Sequence, residues 1–193
     1  MGQALASSAT LPMGETVRIS LFVRPEVSMS RAKLQPEGTF PRAGLIRRFA
    51  AMFYDFMLCM ALIMVVTWIY QQGVLRLIYG AEQLRSMAEA GAMDHDPILS
   101  SLVVLSLFAF FAKFWTHNGQ TLGMQAWNLR IQNADGSRIS LSQALLRFVI
   151  SILSWLALGL GFWWMLFSKN KDTWHDTYSE SQVIQLPKGA HKK

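Results

Sequence analysis

The sequence is short of charge and of cysteine, and both shortages narrow the class of protein. Only 16% of its 193 residues are charged and 52% are hydrophobic, whereas soluble domains have about 25% charged residues. With Cys59 as its one cysteine, the chain can form no intrachain disulfide. The apolar residues collect in three blocks that are too uniformly apolar for helices burying only one face. These features exclude a disulfide-stabilised secreted domain and favour an integral membrane protein.

Motifs for catalysis and for nucleic-acid binding are also missing. The sequence contains no phosphate-binding loop, nucleophile elbow or zinc motif, so we expect a protein that is not an enzyme and has no cofactor or metal. An Asp-His-Asp run, Asp94–Asp96, is a weak metal candidate in a polar loop. The formal net charge is +6, but Lys and Arg flank the apolar blocks, which favours lipid headgroups over nucleic acid.

The three apolar blocks predict an all-α membrane protein with about three transmembrane helical segments. A helix needs about 20 mostly apolar residues to cross the hydrocarbon core, and no charged residue occurs between Phe56 and Leu75. The predicted spans are residues 45–72, 98–115 and 143–168. Glycines weaken helices, so we expect the third span to break at Gly159–Gly161.

Between the second and third spans, the sequence predicts a short extended or β segment. The run "AWNLRIQN" alternates apolar and polar residues, and a turn signal follows at Asp135–Gly136. This pattern is typical of a strand, a turn and a second short strand. In the loop between the first two spans, "EQLRSMAEA" is consistent with a short surface helix.

Polar tails flank the predicted membrane domain, which covers residues 41–186. Residues 1–40 predict a poorly ordered N-terminal tail, and Met29 is an alternative native start. No apolar signal-peptide core follows a basic start in this tail. Residues 187–193 form a basic C-terminal tail.

The distribution of Lys and Arg predicts orientation, because these residues are concentrated in cytoplasmic segments. The stretch before the first span is richly basic, whereas the next loop has only Arg76 and Arg85. We therefore expect a bacterial inner-membrane protein with a cytoplasmic N-terminus. The basic C-terminal tail favours the cytoplasm too, which requires a third block that bends and returns. A third block that crosses once would place the tail outside, and this alternative stays open.

Asp55 is the acid within the first predicted span. Such residues are costly in a bilayer, face the bundle interior and pair with other groups. Arg48 precedes Asp55 by seven residues, which puts both on one helix face but about 10 Å apart. The functional interpretation is a proton or cation site near the cytoplasmic half of the membrane. The structural alternatives are an ion pair that holds helices together and an Asp that reaches back to the inner interface of the bilayer. Arg47 lacks the same-face spacing and is the weaker candidate.

Four segments in order resemble the RDD family of membrane proteins, and in particular its proteobacterial type. They are "PRAGLIRRFAAMFYDFML" (Pro41–Leu58), "THNGQTLGMQAWNLRIQNADG" (Thr116–Gly136), "ALLRFVISILSWLALGLGFWWMLF" (Ala144–Phe167) and "TWHDTYSESQVI" near the C-terminus. The resemblance covers about residues 38–186. It implies that the family's Arg and two Asp are Arg48, Asp55 and Asp176. If these form one cluster, Asp176 returns to the cytoplasmic side, which favours the bent third block.

The chain departs from the family pattern at three places. Met124 stands where the family commonly has a basic residue, Thr177 where it has Arg, and Glu180–Ser181 where it has Gly-Thr. Any role of those basic residues in binding a substrate or pairing Asp176 is therefore in doubt for this chain. His175, beside Asp176, is a weaker candidate for a proton relay, with an ordinary interfacial histidine as the alternative.

Two functions follow as hypotheses. The first is a non-catalytic membrane module, either an assembly factor or a partner subunit of a membrane complex. The second is a small transporter, or a subunit of one, that exchanges a monovalent cation for a proton, as has been proposed for some members of the family. Three blocks are few for a transport path, so this second function implies a homo-oligomer or another membrane protein as partner.

Overall fold

A computed structural model of the chain describes residues 31–91, 93, 95–169 and 171–189. The chain divides into two compact units, Met1–Ser30 and Arg31–Lys193, and the described residues belong to the second. The predictions for residues 1–30, for the Met29 start and for residues 190–193 lie outside these ranges. So does Asp94 of the Asp-His-Asp run.

The first span is one long helical rod. Helix α1 (Leu45–Trp68) runs through a π-helical segment (Ile69–Leu75) into α2 (Arg76–Tyr79). Together they form a candidate membrane span of 35 residues, which contains the predicted 45–72 and extends beyond it. The rod ends at Gly80, whose φ of +80° suits glycine. Helix α3 (Ala81–Glu89) then follows, as expected for the loop.

Helix α4 (Pro97–His117) is the second candidate span and matches the predicted 98–115. Its start is set by Asp96, whose Oδ1 accepts from the backbone N–H groups of Ile98 at 2.8 Å and Leu99 at 3.1 Å. Pro97 occupies the first helical position, where its missing N–H costs nothing. The short helix α5 (Leu122–Ala126) comes next.

The third block is bent. Helix α6 (Leu141–Leu156) begins with a capping box between Ser140 and Gln143. After Leu156 the chain turns through Gly159, which has a φ of +77°, into α7 (Leu160–Trp163) and a 3-10 turn (Trp164–Leu166). The two parts are bent by 107°, as in a broken span or a re-entrant loop. The bend lies at the start of the segment predicted to break.

A small antiparallel sheet pairs β1 (Leu129–Gln132) with β2 (Gln182–Gln185), with Leu129 opposite Gln185. The predicted extended segment is therefore a strand, and its partner is β2 near the C-terminus. Residues after the turn at Asp135–Gly136 make only an isolated bridge, Ser137 with Lys33. The strand that follows helix α8 (Trp174–Tyr178) takes their place, because its apolar Val183 and Ile184 are buried in the core.

The chain is thus mostly helical, with two or three candidate membrane spans and one two-stranded sheet. Helix α1 packs against α4 and α5, while α6 packs against α4 and α8. Large apolar side chains of the first span stay exposed, including Met64 at 68% and Trp68 at 66%, as is expected of surfaces that face lipid. The buried core lies where α1 and α6 begin and α4 ends, and the sheet packs into it.

Candidate functional site

A buried carboxylate, Asp176, lies between two buried guanidinium groups. Arg48 Nη1 donates to Asp176 Oδ2, and Arg147 Nη1 forms an ion pair with Asp176 Oδ1 at 2.8 Å. The side chain of Asp176 is 0% exposed, that of Arg48 7% and that of Arg147 3%. The cluster ties α1, α6 and α8 together at a point where charge is shielded from water.

Helix α8 positions the carboxylate of Asp176. Thr173 caps the helix, and its backbone N–H donates to Asp176 Oδ2 at 3.2 Å in a capping box. Burial acts to raise the pKa of Asp176, but the charges of Arg48 and Arg147 outweigh burial and hold that pKa well below its usual value. Asp176 is therefore ionised at neutral pH.

Each guanidinium has further partners. Arg48 donates to the carbonyl oxygens of Ala43 at 3.3 Å and Lys171 at 3.2 Å. Arg147 donates to the Ser181 hydroxyl and lies 5.7 Å from the centre of a Trp115 ring. Two cations thus share one carboxylate, which leaves excess positive charge in the cluster.

A second ion pair flanks the cluster. Arg42 Nη1 lies 2.9 Å from Asp172 Oδ1, and both side chains are partly exposed. Burial raises the pKa of Asp172, although the Arg42 charge opposes this rise. The pair ties the segment before α1 to the segment before α8.

Asp55 has a different set of partners. Its Oδ2 accepts from the Thr121 hydroxyl at 2.5 Å, and its Oδ1 accepts from the Gly123 backbone N–H at 2.9 Å. Thr121 is also the N-cap of α5, with its Oγ1 accepting from Met124 N at 3.2 Å. Asp55 therefore joins α1 to α5 through hydrogen bonds and not through an ion pair.

Gly123 permits that contact. A Cβ at this position would lie 2.3 Å from the Ala51 carbonyl oxygen and 2.8 Å from Asp55 Oδ1. Since backbone lines one side of this gap, a larger residue must push α5 away from α1. The glycine thus serves close packing of the two helices.

The predicted site residues come together only in part. Arg48 and Asp176 are in direct contact. Asp55 lies two turns further along α1, and its carboxylate oxygens accept hydrogen bonds from Thr121 and Gly123. Arg47 is half-buried and makes no hydrogen bond or ion pair with any residue that the structure describes. Of the two candidate arginines, Arg48 is thus the one in contact with Asp176.

His175 is buried next to the cluster. Its Nε2 lies 2.9 Å from Thr173 Oγ1, and its ring centroid lies 5.0 Å from that of Phe162. Burial lowers the pKa of His175 to about 3, the Asp176 charge opposing this effect in part. The imidazole is therefore neutral at pH 7.

Arg147 is the site residue that the sequence reasoning missed. Its signal was present, because Arg147 is a charged residue within the apolar run of the third block, as Asp55 is within the first. Its partners could not be predicted from the sequence, because Asp176 and Ser181 follow it by 29 and 34 positions. Ser181 stands at a place where the chain departs from the family pattern.

Two of the other departures, Met124 and Thr177, have local explanations. Met124 is a buried core residue, and the Thr177 hydroxyl donates to the Thr173 carbonyl oxygen at 3.1 Å. Glu180 has a φ of +51°, a conformation that glycine adopts without strain.

A crevice of about 310 Å³ opens between α1 and α6, and three of the candidates line it: Arg48, Asp55 and His175. The remaining walls are mainly apolar. Among the residues in the described ranges, no group of three His, Cys, Asp or Glu side chains could hold a metal ion. Asp96 of the Asp-His-Asp run instead caps α4 and accepts from the Tyr70 hydroxyl at 2.8 Å.

Comparison with known proteins gives one match. The model of the RDD family matches residues 42–180, a range that includes the Asp176 cluster and the Asp55 contact. No curated protein and no solved structure matches the chain.

Proposed function

This chain belongs to the RDD family, and from that premise we propose that it is a non-catalytic membrane module, a partner or assembly subunit of a membrane complex. We propose further that it is of the proteobacterial type and lies in a bacterial inner membrane. In this function the buried charges hold a folded unit together, and the lipid-facing and cytoplasmic surfaces meet other proteins.

The observation that supports this proposal is the internal use of the acids at the site. Asp55 is hydrogen-bonded to α5, Asp172 is paired with Arg42, and Asp176 is held by two arginines. Each of these contacts joins segments that are distant in sequence. Buried polar groups with such partners favour one packing of the chain, which is what a docking module requires.

A transport assay with a matched variant tests the proposal. Intact protein in proteoliposomes is expected to give no proton movement after sodium or potassium pulses. Asp55→Asn is expected to accumulate less in the membrane and to unfold at a lower temperature, because Asp55 is structural. The proposal is refuted if the intact protein moves protons in response to cations and an Asp55→Asn variant of normal abundance does not.

Cation/proton exchange is the second candidate, and one observation favours it. Asp55 and His175 line the same crevice as Arg48, so a carboxylate and an imidazole border one space between helices. Such a transporter would need further copies of the chain or a partner to complete a path. The transport assay above separates the two functions directly.

We also propose that both ends of the described chain face the cytoplasm. The contact between Arg48 and Asp176 brings the C-terminal part back to the end of the bundle where α1 begins. The basic residues near α1 favour the cytoplasm for that end.

A labelling experiment tests this orientation. In a Cys59→Ser background, Glu37→Cys and Lys188→Cys should resist a membrane-impermeant maleimide applied from the periplasm. Glu82→Cys, on the exposed face of α3, should react. Labelling of Lys188→Cys together with Glu82→Cys would overturn the proposed side of the C-terminus.

A further inference from the structure

The crevice between α1 and α6 has a polar end and an apolar end. Both helices pack on α4, and the crevice lies between their facing sides. Arg48 lies in the first turn of α1 and Arg147 in the second turn of α6, and both line the crevice with His175. Further along the same two faces follow Phe56 and Trp155. A ligand in this space would meet charge at one end and hydrocarbon at the other.

The polar end has hydrogen-bond donors that the protein does not use. Trp115 Nε1, Arg147 Nε and His175 Nδ1 are buried and make no hydrogen bond with the residues that the structure describes. All three residues line the crevice, and none is more than 9% exposed. The tryptophan and arginine nitrogens can only donate. Burying such donors without an acceptor is costly.

His175 Nδ1 is the third unused nitrogen. Burial lowers the pKa of His175 to about 3, so the neutral ring has one proton. The 2.9 Å contact between His175 Nε2 and Thr173 Oγ1 fits either tautomer, because a hydroxyl both donates and accepts. With the proton on Nδ1, the Thr173 hydroxyl donates to Nε2 and Nδ1 is a third free N–H donor.

Charge favours an anion at this end. Arg48 and Arg147 share the single carboxylate of Asp176, which leaves one positive charge in excess. Asp55 is the acid on the crevice wall, but it lies about 10 Å along α1 from Arg48, and its oxygens accept from Thr121 and Gly123. The excess positive charge therefore stays at the polar end. An anionic acceptor would satisfy the free donors and the excess charge together.

The apolar end opens towards the surrounding lipid. Phe56, Ile152 and Trp155 line the crevice and are also 55%, 43% and 63% exposed, so their side chains form its rim on the outer surface of the bundle. A ligand can enter sideways from the bilayer at this rim. About 310 Å³ is near the lower end for ligand cavities, which favours one hydrocarbon chain over two.

We propose that this crevice binds a long-chain fatty acid. The carboxylate oxygens accept from Arg147 Nε, Trp115 Nε1 and His175 Nδ1, and the hydrocarbon chain lies between α1 and α6 with its far end at Trp155. This site is additional to the partner role proposed above and does not depend on it, since the acids that hold the fold together keep their partners.

Equilibrium binding of radiolabelled oleic acid to the full chain in a neutral detergent tests the proposal. Saturable binding with one oleate per chain is expected. Methyl oleate, which keeps the chain and loses the charge, should compete poorly, and dioleoyl phosphatidic acid, with two chains, should also compete poorly. Equal competition by methyl oleate would overturn the carboxylate contact, and equal competition by phosphatidic acid would overturn the single-chain assignment.

Two variants locate the site. Trp115→Phe keeps an aromatic six-membered ring and removes the N–H, and should weaken oleate binding about tenfold, as expected for one hydrogen bond to a charged group. Ile152→Trp fills the crevice and should abolish binding. Leu105→Trp, at an exposed position of α4 outside the crevice, is the matched control and should bind normally.

Unfolding temperatures of all three variants establish that each is folded before its binding is compared. Absence of saturable oleate binding to the intact chain refutes the proposal. Unchanged binding by folded Trp115→Phe and Ile152→Trp refutes it as well.

Discussion

Thr121 and Asp55 lie 66 positions apart, and the Thr121 hydroxyl donates to the Asp55 carboxylate at 2.5 Å. The same hydroxyl oxygen caps α5. One side chain thus caps helix α5 and holds it against α1, the first candidate membrane span. Asp55 is only 7% exposed, so the loss of this partner leaves a buried carboxylate with fewer hydrogen bonds.

Replacing Thr121 by valine should therefore destabilise the protein by about 1–3 kcal/mol, the usual cost of an unsatisfied buried polar group. Thermal unfolding in detergent measures the change. Thr121→Ser keeps the hydroxyl and should lose less than half as much. A Thr121→Val protein as stable as the intact chain, with Thr121→Ser less stable, would show that the methyl group, and not the hydrogen bond, matters at this position.

Gly123→Ala should lower both the unfolding temperature and the amount of protein in the membrane. The added Cβ would lie 2.3 Å from the Ala51 carbonyl oxygen, and overpacking of this kind costs about 1–3 kcal/mol. Gly73→Ala is the control, because a Cβ there meets nothing within 4 Å. A Gly123→Ala protein as stable as Gly73→Ala would contradict the close packing of α1 and α5.

Asp176→Asn should be the most damaging single change at the site. It leaves Arg48 and Arg147 buried without a counter-charge, and breaking a buried pair in this way costs about 3–5 kcal/mol. Asp172→Asn removes a partly exposed pair with Arg42 and should cost no more than about 1 kcal/mol. Membrane abundance and unfolding temperature of the two variants decide the order, and an inverted order contradicts the buried cluster.

Stability should fall as the pH is lowered from 7 to 5. Burial depresses the pKa of His175 to about 3 in the folded chain, whereas its pKa in the unfolded chain is about 6.5. Below pH 6.5 the unfolded chain therefore binds a proton that the folded chain does not bind, which favours unfolding. The loss at pH 5 relative to pH 7 is about 2 kcal/mol for this residue. Thermal unfolding at the two pH values measures it.

Two histidine variants test whether His175 causes this pH dependence of stability. His175→Gln removes the titrating group and should flatten the change between pH 7 and pH 5. His117→Gln, at an exposed position near the end of α4, should keep it. A slope that survives in His175→Gln would assign the effect to other groups.

Glu180→Gly should raise the unfolding temperature by a few degrees. Glu180 has a φ of +51°, which costs a residue with a Cβ about 1–2 kcal/mol, although part of the gain is lost to the greater freedom of glycine in the unfolded chain. Glu180→Ala removes the same charge and keeps the strain. An equal rise in both variants would point to charge and not to the backbone.

Much of the fold was predictable because its signals are local. The length of an apolar run decides whether a helix can cross a bilayer, so the starts of the candidate spans at Leu45 and Pro97 were placed within one residue. The bend near Gly159 also has a local cause, since glycine is the residue that turns left-handed at low cost. The seven-residue spacing likewise selected Arg48 over Arg47.

The partners of those residues were set by the tertiary structure. Local alternation identified β1 but not its pairing with β2, because two strands distant in sequence meet only after α6 and α8 have packed. For the same reason Asp55 faces Thr121 and not Arg48, and Arg147 shares the carboxylate of Asp176. The sequence by itself determined which segments are helical and which charged residues must be shielded from lipid. Only the packing of α1, α5, α6 and α8 decided which charges and hydrogen bonds meet, because these contacts join residues with no common local period.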